Sequence, residues 1–313
     1  LIPAENILIL TNERYNDLVL EQLPMVKPEQ VLLEPAMRNT APCILYASLK
    51  IQKQNPDAVM VVAPSDHWIE DETAFVANLQ ECFDFCQKEN ALMTLGIQPT
   101  YPNTGFGYIE FDKTDENSIK KVNQFREKPD YETAKSFLKQ GNFLWNAGMF
   151  IAPAKLLLEQ LAETEPELHQ QIQQIAQAWD TESRKSVLEQ VWPRIKKVAI
   201  DYSVAEPAAA AGKVAVIPAN FTWHDVGDFA AIAELQSEGR KGNLAVLGNA
   251  KVLADSSSGI LVSDTDRLIA LIGVEDIIVV DTPDALLVTT KEHAQRVKSL
   301  VDALKATGHS EVL

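Results

Sequence analysis

Apolar residues in this chain fall into two kinds of run. Short β-branched and aliphatic stretches at residues 7–11, 31–34, 59–63, 92–97 and 214–218 are bounded by turn residues and predict strands. Between them, stretches around 42–54, 73–90 and 154–177 carry the spacing of amphipathic helices. Pro42 suits a first helical turn, where its missing N–H costs nothing, with Asn39 or Thr40 near the cap. Alternation of strand and helix marks βαβ units. The expected class is α/β, with a Rossmann-like mixed, mainly parallel sheet flanked by helices.

Beyond about Glu234 the pattern changes. Runs at 251–254, 259–263, 268–273, 277–281 and 285–289 recur every eight or nine positions with no helical stretch between them. They predict a small β-rich, β-helix-like domain closed by a helix over 291–306. Residues 237–243, "SEGRKGN", are polar and glycine-containing and read as a linker. The expected domains are therefore 1–236 and 243–313.

Composition narrows the function. The 313 residues are 46% hydrophobic and 23% charged, an ordinary balance for a globular protein. No apolar run is long enough to span a bilayer, and no basic amphipathic anchor is visible. A net charge of −16 and a pI near 4.8 argue against a nucleic-acid surface. An anionic substrate would then need a local basic site or a cation. Cys43, Cys82 and Cys86 make neither a disulfide framework nor a zinc pattern, and they read as buried reduced thiols in a cytoplasmic protein.

Six stretches carry candidate chemistry. "EPAMRNTAP" (34–42) joins a strand end to a helix start, where exposed N–H groups favour an anion. "PSDH" (64–67) ends an apolar strand on an aspartate and a histidine, which suits either a turn or a ligand crevice beyond strand ends. "TGFGYI" (104–109) has two glycines that allow close approach, but it lacks the third glycine and the context of a dinucleotide fingerprint. "FREKP" (125–129) sets both charge signs beside a strand. "LWNAGMF" (144–150) places an amide among apolar residues, where it must find partners. "FTWHDVG" (221–227) puts a second aspartate after a strand. Each is weak alone, and a capped turn or a solvated ion pair would account for it.

Together with "DYSVAE" (201–206), these stretches resemble mannose-1-phosphate guanylyltransferases, also called GDP-mannose pyrophosphorylases, over nearly the whole chain. The resemblance implies attack by a sugar-1-phosphate oxygen on the α-phosphate of a nucleoside triphosphate, expelling pyrophosphate. Crowded negative charge is the main barrier, so positioning and electrostatics should dominate. It implies GTP and mannose 1-phosphate as substrates and Mg2+ as cofactor, with Asp66 and Asp225 as metal carboxylates. Lys128 would hold the sugar phosphate. Glu127 and Asn146 would orient the hexose, with Gly107 letting the backbone approach its ring and Glu206 adding a contact. Glu34, Asn39 and Thr40 would lie near the nucleotide. His67 is expected to be structural, and His169, His293 and His309 to be ordinary surface residues. A homodimer stays open, and neither nucleic acid nor membrane is an expected partner.

The family begins with a strand and a Gly-rich, Arg-containing loop that cradles the triphosphate, and neither precedes Leu1 here. The expectation is a longer native chain, with the sheet interrupted between residues 7–11 and 59–63. A bifunctional form, with an added isomerase domain after Leu313, is not expected. Two rival readings remain. A metal-dependent glycosyltransferase would use Asp264-Thr265-Asp266, although that triplet suits a turn. A catalytically silent sugar-nucleotide-binding subunit is the other.

Overall fold

The computed structural model describes residues 1–236 and 243–308, so the linker expected at 237–243 lies outside the described residues apart from Asn243, as does His309. The chain divides into two compact units, Leu1–Ser65 with Ile69–Thr222, and Asp66–Trp68 with Trp223–Leu313.

The first unit is built on a six-stranded sheet. Its order is Val59–Val62, Phe143–Pro153, Leu92–Ile97, Val214–Pro218, Lys120–Arg126, Tyr108–Phe111. The α/β class holds, and the sheet is mixed. Leu92–Ile97 and Val214–Pro218 are parallel neighbours, whereas Phe143–Pro153 and Lys120–Arg126 run against the strands beside them. Four of the six strands run the same way, but only one of the six ladders is parallel, so the sheet is mixed without being mainly parallel in its pairing. The physical reason is the insertion after Ile97, where Tyr108–Phe111 and Lys120–Arg126 follow each other without a crossover helix and pair as a hairpin. The first half of Phe143–Pro153 also pairs with Tyr108–Phe111, so five strands close into a ring of ladders. Ile9–Asn12 and Val31–Glu34 form a separate two-stranded parallel sheet, and Val59–Val62 is an edge strand of the larger one.

Helix ends follow their sequence cues. Asn39 caps Thr40–Gln54 by accepting from the Thr40 N–H at 2.8 Å. Asp71 caps Glu72–Lys88, and Asp130 caps Tyr131–Gln140, which stops at the left-handed Gly141. The single helix expected over 154–177 is two, Ala154–Thr164 and Pro166–Gln177, because Pro166 cannot continue the first and starts the second. These helices bury Leu45, Leu157 and Ile172, and the 3-10 turn Trp192–Arg194 adds Trp192, with Leu32, Ile109, Phe150 and Val216 from the strands in one core. The Trp192 indole N–H is satisfied by the Ala36 carbonyl at 2.8 Å.

The second unit carries the β-rich tail. Leu244–Gly248, Gly259–Ser263 and Ile277–Asp281 stack in parallel, Lys251–Asp255 pairs with Leu268–Ile272 in parallel, and Leu286–Thr290 closes the first sheet antiparallel. This is the expected β-helix-like arrangement. Gly259, at φ +128, packs so tightly that a β-carbon there would lie 1.9 Å from the Ile277 carbonyl oxygen. The final helix is Val297–Thr307, preceded by a short 3-10 turn.

Candidate functional site

In the first unit, the ring of strands gathers a polar cluster. Asn146 lies on Phe143–Pro153 where that strand changes partners, its N–H donating to the Gly107 carbonyl at 2.8 Å. Its side chain is buried and bonded at both ends, which leaves one of its two Nδ2 N–H groups unspent. Thr94 donates its hydroxyl to Oδ1 at 2.8 Å, and Nδ2 donates to an Asp201 carboxylate oxygen at 3.1 Å.

Glu127 follows the strand Lys120–Arg126, and its backbone N–H donates to a Glu206 carboxylate oxygen at 3.1 Å. Its own carboxylate is only 7% exposed. Oε1 pairs with the Lys128 ammonium at 3.1 Å, while Oε2 is buried without a hydrogen-bond partner. Burial first, then the Asp201 charge, pushes this carboxyl up to about 7 against the pull of Lys128. Gly107 makes the space for it, since a β-carbon at that position would fall 2.5 Å from Oε2. The space a β-carbon would take at Gly107 is thus occupied by the Glu127 carboxylate.

Lys128 is held at φ +44, a conformation that costs a non-glycine residue about 1–3 kcal/mol and that marks functional sites. Its N–H is tied to the Phe106 carbonyl at 3.2 Å, and its side chain is 57% exposed. Burial pulls the ammonium down, but Glu127, Asp201 and Tyr202 outweigh that and raise it. Lys128 stays a cation.

Asp201 belongs to this cluster and was missed by sequence reasoning, which took only Glu206 from the same motif. The cause is local geometry. Residues Asp201–Ala205 form a π-helical turn in which the Glu206 N–H bonds the Asp201 carbonyl. That i to i+5 spacing brings Asp201 and Glu206 to one face, whereas an α-helix would set them well apart. Burial, then the Glu206 charge, raises the Asp201 carboxyl, opposed by Lys128 and Asn146. The spacing of acids in "DYSVAE" is the only trace of this in the sequence.

In the second unit, Asp66, His67 and Asp225 come together around Trp223. The Trp223 indole N–H donates to His67 Nδ1 at 3.1 Å, and the rings meet edge to face. Because that indole is donor-only, His67 Nδ1 is an acceptor and the imidazole is neutral. Burial lowers the His67 pKa, while the charges of Asp66 and Asp225 both raise it, which sets the two carboxylates about one ring. Asp66 is exposed and Asp225 half-buried. Burial raises the Asp225 carboxyl, opposed by the Gly227 N–H and His67. The next residue, Val226, has φ +47, a severe departure for a β-branched side chain.

Among the described residues no group of three or more His, Cys, Asp or Glu could cage a metal. Two hard carboxylates suit an ion that takes its other ligands from water and substrate phosphates, as Mg2+ does.

Elsewhere, Glu34 is half-buried beside Cys43, and burial lifts its carboxyl to about 7 against the thiol's hydrogen bond. Asn39 spends its side-chain oxygen on the helix cap at φ +69, and the Thr40 hydroxyl accepts from the Ile200 N–H at 2.9 Å. Cys82 and Cys86 are buried thiols pushed up to about 12, and all three cysteines are free. Asp264-Thr265-Asp266 is a turn. Thr265 and Ser263 donate hydroxyls to the buried Asp281, and Asp266 is exposed beside Lys251, so the glycosyltransferase motif has no site of its own.

The family model described as Nucleotidyl transferase matches residues 3–242. This chain belongs to the nucleotidyl transferase family. A second model, the MannoseP isomerase/GMP-like beta-helix domain, matches residues 249–304 of this nucleotidyl transferase. Its relatives include the xanthan biosynthesis protein XanB of Xanthomonas campestris pv. campestris strain B100, 35% identical over 99% of this chain and 65% of that one. The mannose-1-phosphate guanylyltransferase of Escherichia coli K12 is 32% identical over 99% of this chain and 65% of its own. The chain thus spans 65% of the length of these curated relatives. Among solved structures, a mannose-1-phosphate geranyltransferase of Thermus thermophilus superposes with a TM-score of 0.82 at 26% identity, covering 97% of this chain and 86% of that one. No helix among the described residues is long and apolar enough to cross a membrane.

Proposed function

We propose that this nucleotidyl transferase moves a guanylyl group from GTP to mannose 1-phosphate in the cytoplasm, forming GDP-mannose and pyrophosphate. The observation that carries the reading is the Glu127–Lys128 pair. An exposed cation is held at a strained backbone position against a buried carboxyl poised near neutrality, in a cluster lined by Asn146, Asp201 and Glu206. That combination suits a polyhydroxylated ring bearing one phosphate. Carboxylates and an amide take the hydroxyls, and the single cation takes the phosphate. The names of the relatives support the same pair of substrates.

In this reading a phosphate oxygen of mannose 1-phosphate forms the new bond to the α-phosphorus of GTP. The bond from that phosphorus to the β-bridging oxygen breaks, and pyrophosphate leaves with the electron pair. Lys128 orients the attacking phosphate and offsets its charge. Glu127 and Glu206 fix the hexose, Asn146 holds Asp201 in place behind them, and Gly107 leaves room for the Glu127 carboxylate. Glu34, Asn39 and Thr40 are assigned to the nucleotide's side, with the Asn39 amide nitrogen still free to donate.

Nucleotidyl transfer of this kind generally uses a divalent metal. Asp66 and Asp225 would hold it, as Mg2+, and when bound it supplies counter-charge to the triphosphate. His67 sits in the field of both carboxylates and stays neutral through Trp223. Residues 1–236 are proposed as the transferase domain and 243–313 as the β-rich domain.

The test is turnover by the full native chain, following pyrophosphate release with each nucleoside triphosphate and each hexose 1-phosphate in turn. GTP with mannose 1-phosphate should give the highest kcat/KM. Clear preference for another pair, or binding without release, would overturn the assignment.

A further inference from the structure

A cavity of about 520 Å³ opens in the first unit and shares no residue with the Glu127–Lys128 cluster. It lies at the other end of strand Val31–Glu34 from Glu34, where Glu29 and Gln30 meet Lys50 and Lys53 of helix Thr40–Gln54 and Trp179 beyond helix Pro166–Gln177. In a chain of net charge −16, four cations line it against three carboxylates. Two of those cations crowd one indole. The Lys50 ammonium is 5.2 Å and the Arg184 guanidinium 5.0 Å from the Trp179 ring centroid. Of the four, only Lys53 has a carboxylate partner among the described residues, Asp180. Lys50 donates to the Glu29 backbone carbonyl at 2.6 Å, which leaves it without a paired carboxylate and with two of its N–H groups unspent.

Like charges set over one ring repel. The field of Arg184 pulls the Lys50 pKa down, behind the effect of burial and against a smaller opposing pull from Glu29. A bound anion between the two cations would turn that repulsion into two charge-assisted contacts. The cavity is larger than a lone phosphate needs and falls in the usual size range for small-molecule sites. Leu8, Leu49 and Ala176 add apolar surface to its wall beside the polar Gln30 and Gln54. The ligand should therefore carry a body as well as a charge.

We propose that this cavity is a second binding site, for an organic phosphate whose phosphate sits between Lys50 and Arg184 and whose body lies along Leu49 and Trp179. It is separate from the substrate cluster and does not depend on the reaction assigned there. The experiment is calorimetric titration of the full chain with GMP, mannose 1-phosphate and inorganic phosphate, in wild type, Lys128→Met and Arg184→Met. A binding event should survive Lys128→Met and weaken about tenfold or more in Arg184→Met, the loss expected for one charge-assisted contact. Arg184 is exposed but also bonds the Tyr46 hydroxyl, so an unchanged circular dichroism spectrum of Arg184→Met is required alongside the titration. An organic phosphate should bind more tightly than inorganic phosphate, and the tryptophan emission change on binding should vanish in Trp179→Phe. Failure of any probe to bind Lys128→Met, or an unchanged titration in Arg184→Met, would overturn the site. Equal affinity for inorganic phosphate would overturn the role given to the apolar wall.

Discussion

Replacing Glu127 by Gln removes an ionisable group from a buried position while keeping its shape. In the folded protein the Glu127 carboxyl is pushed from 4.5 to about 7, with burial as the leading cause. A shift of that size corresponds to on the order of 3 kcal/mol, and a side chain only 7% exposed needs little discount for solvent screening. The sign follows from the folded value lying above the unfolded one. Protonated Glu127 supports the fold fully below about pH 4.5, and that support is lost as pH rises through about 7. Glutamine has nothing to lose over that range. Between pH 5.5 and pH 8, Glu127→Gln should therefore gain about 2 kcal/mol of stability relative to wild type. Urea denaturation followed by tryptophan fluorescence at several pH values measures the difference directly. Starting at pH 5.5 also keeps the protein above its pI of about 4.8. A stability difference that does not change with pH would show that Glu127 ionises normally, and the neutral-carboxyl role would fall with it.

Lys128→Met should raise the KM for mannose 1-phosphate by about tenfold or more, as loss of one charge-assisted contact predicts, and change that for GTP much less; equal effects would displace Lys128 from the sugar phosphate. Asp225→Asn should abolish turnover and divalent-cation-dependent nucleotide binding with an unchanged circular dichroism spectrum, whereas near-normal activity would refute the metal assignment. Gly259→Ala should destabilise the β-rich tail by more than about 2 kcal/mol, because it combines a strained backbone with a β-carbon 1.9 Å from the Ile277 carbonyl oxygen. A thermal transition identical to wild type would mean that the tail relaxes around the added methyl.

Strands that are short apolar runs between turn residues were legible at once. Val31–Glu34, Leu92–Ile97, Val214–Pro218 and most of the β-rich tail lie where their hydrophobic pattern puts them. Phe143–Pro153 was harder, because Asn146 and Gly148 interrupt its apolar run and its two halves answer to different neighbours. Lys120–Arg126 alternates only loosely, with just Val122 and Phe125 buried, so its sequence reads as surface. At the candidate site, motif residues could be picked out but their mutual arrangement could not. Nothing in "TGFGY" says that Gly107 makes way for Glu127, and periodicity based on α-helices hides the pairing of Asp201 with Glu206.

The ring of ladders has a consequence for how the chain folds. Phe143–Pro153 pairs with strands that precede it by roughly 35 to 90 positions, and the ring closes only when Val214–Pro218 joins Leu92–Ile97. Contacts so distant along the chain make for slow closure, and a chain emerging from the ribosome N-terminus first cannot complete the ring until residue 218 is free. Asn146, Gly107, Glu127 and Glu206 are therefore brought together in one of the last events of folding. A chain stalled or cut before Pro218 would have secondary structure but no polar cluster. Ligand binding there reports completion of the whole sheet.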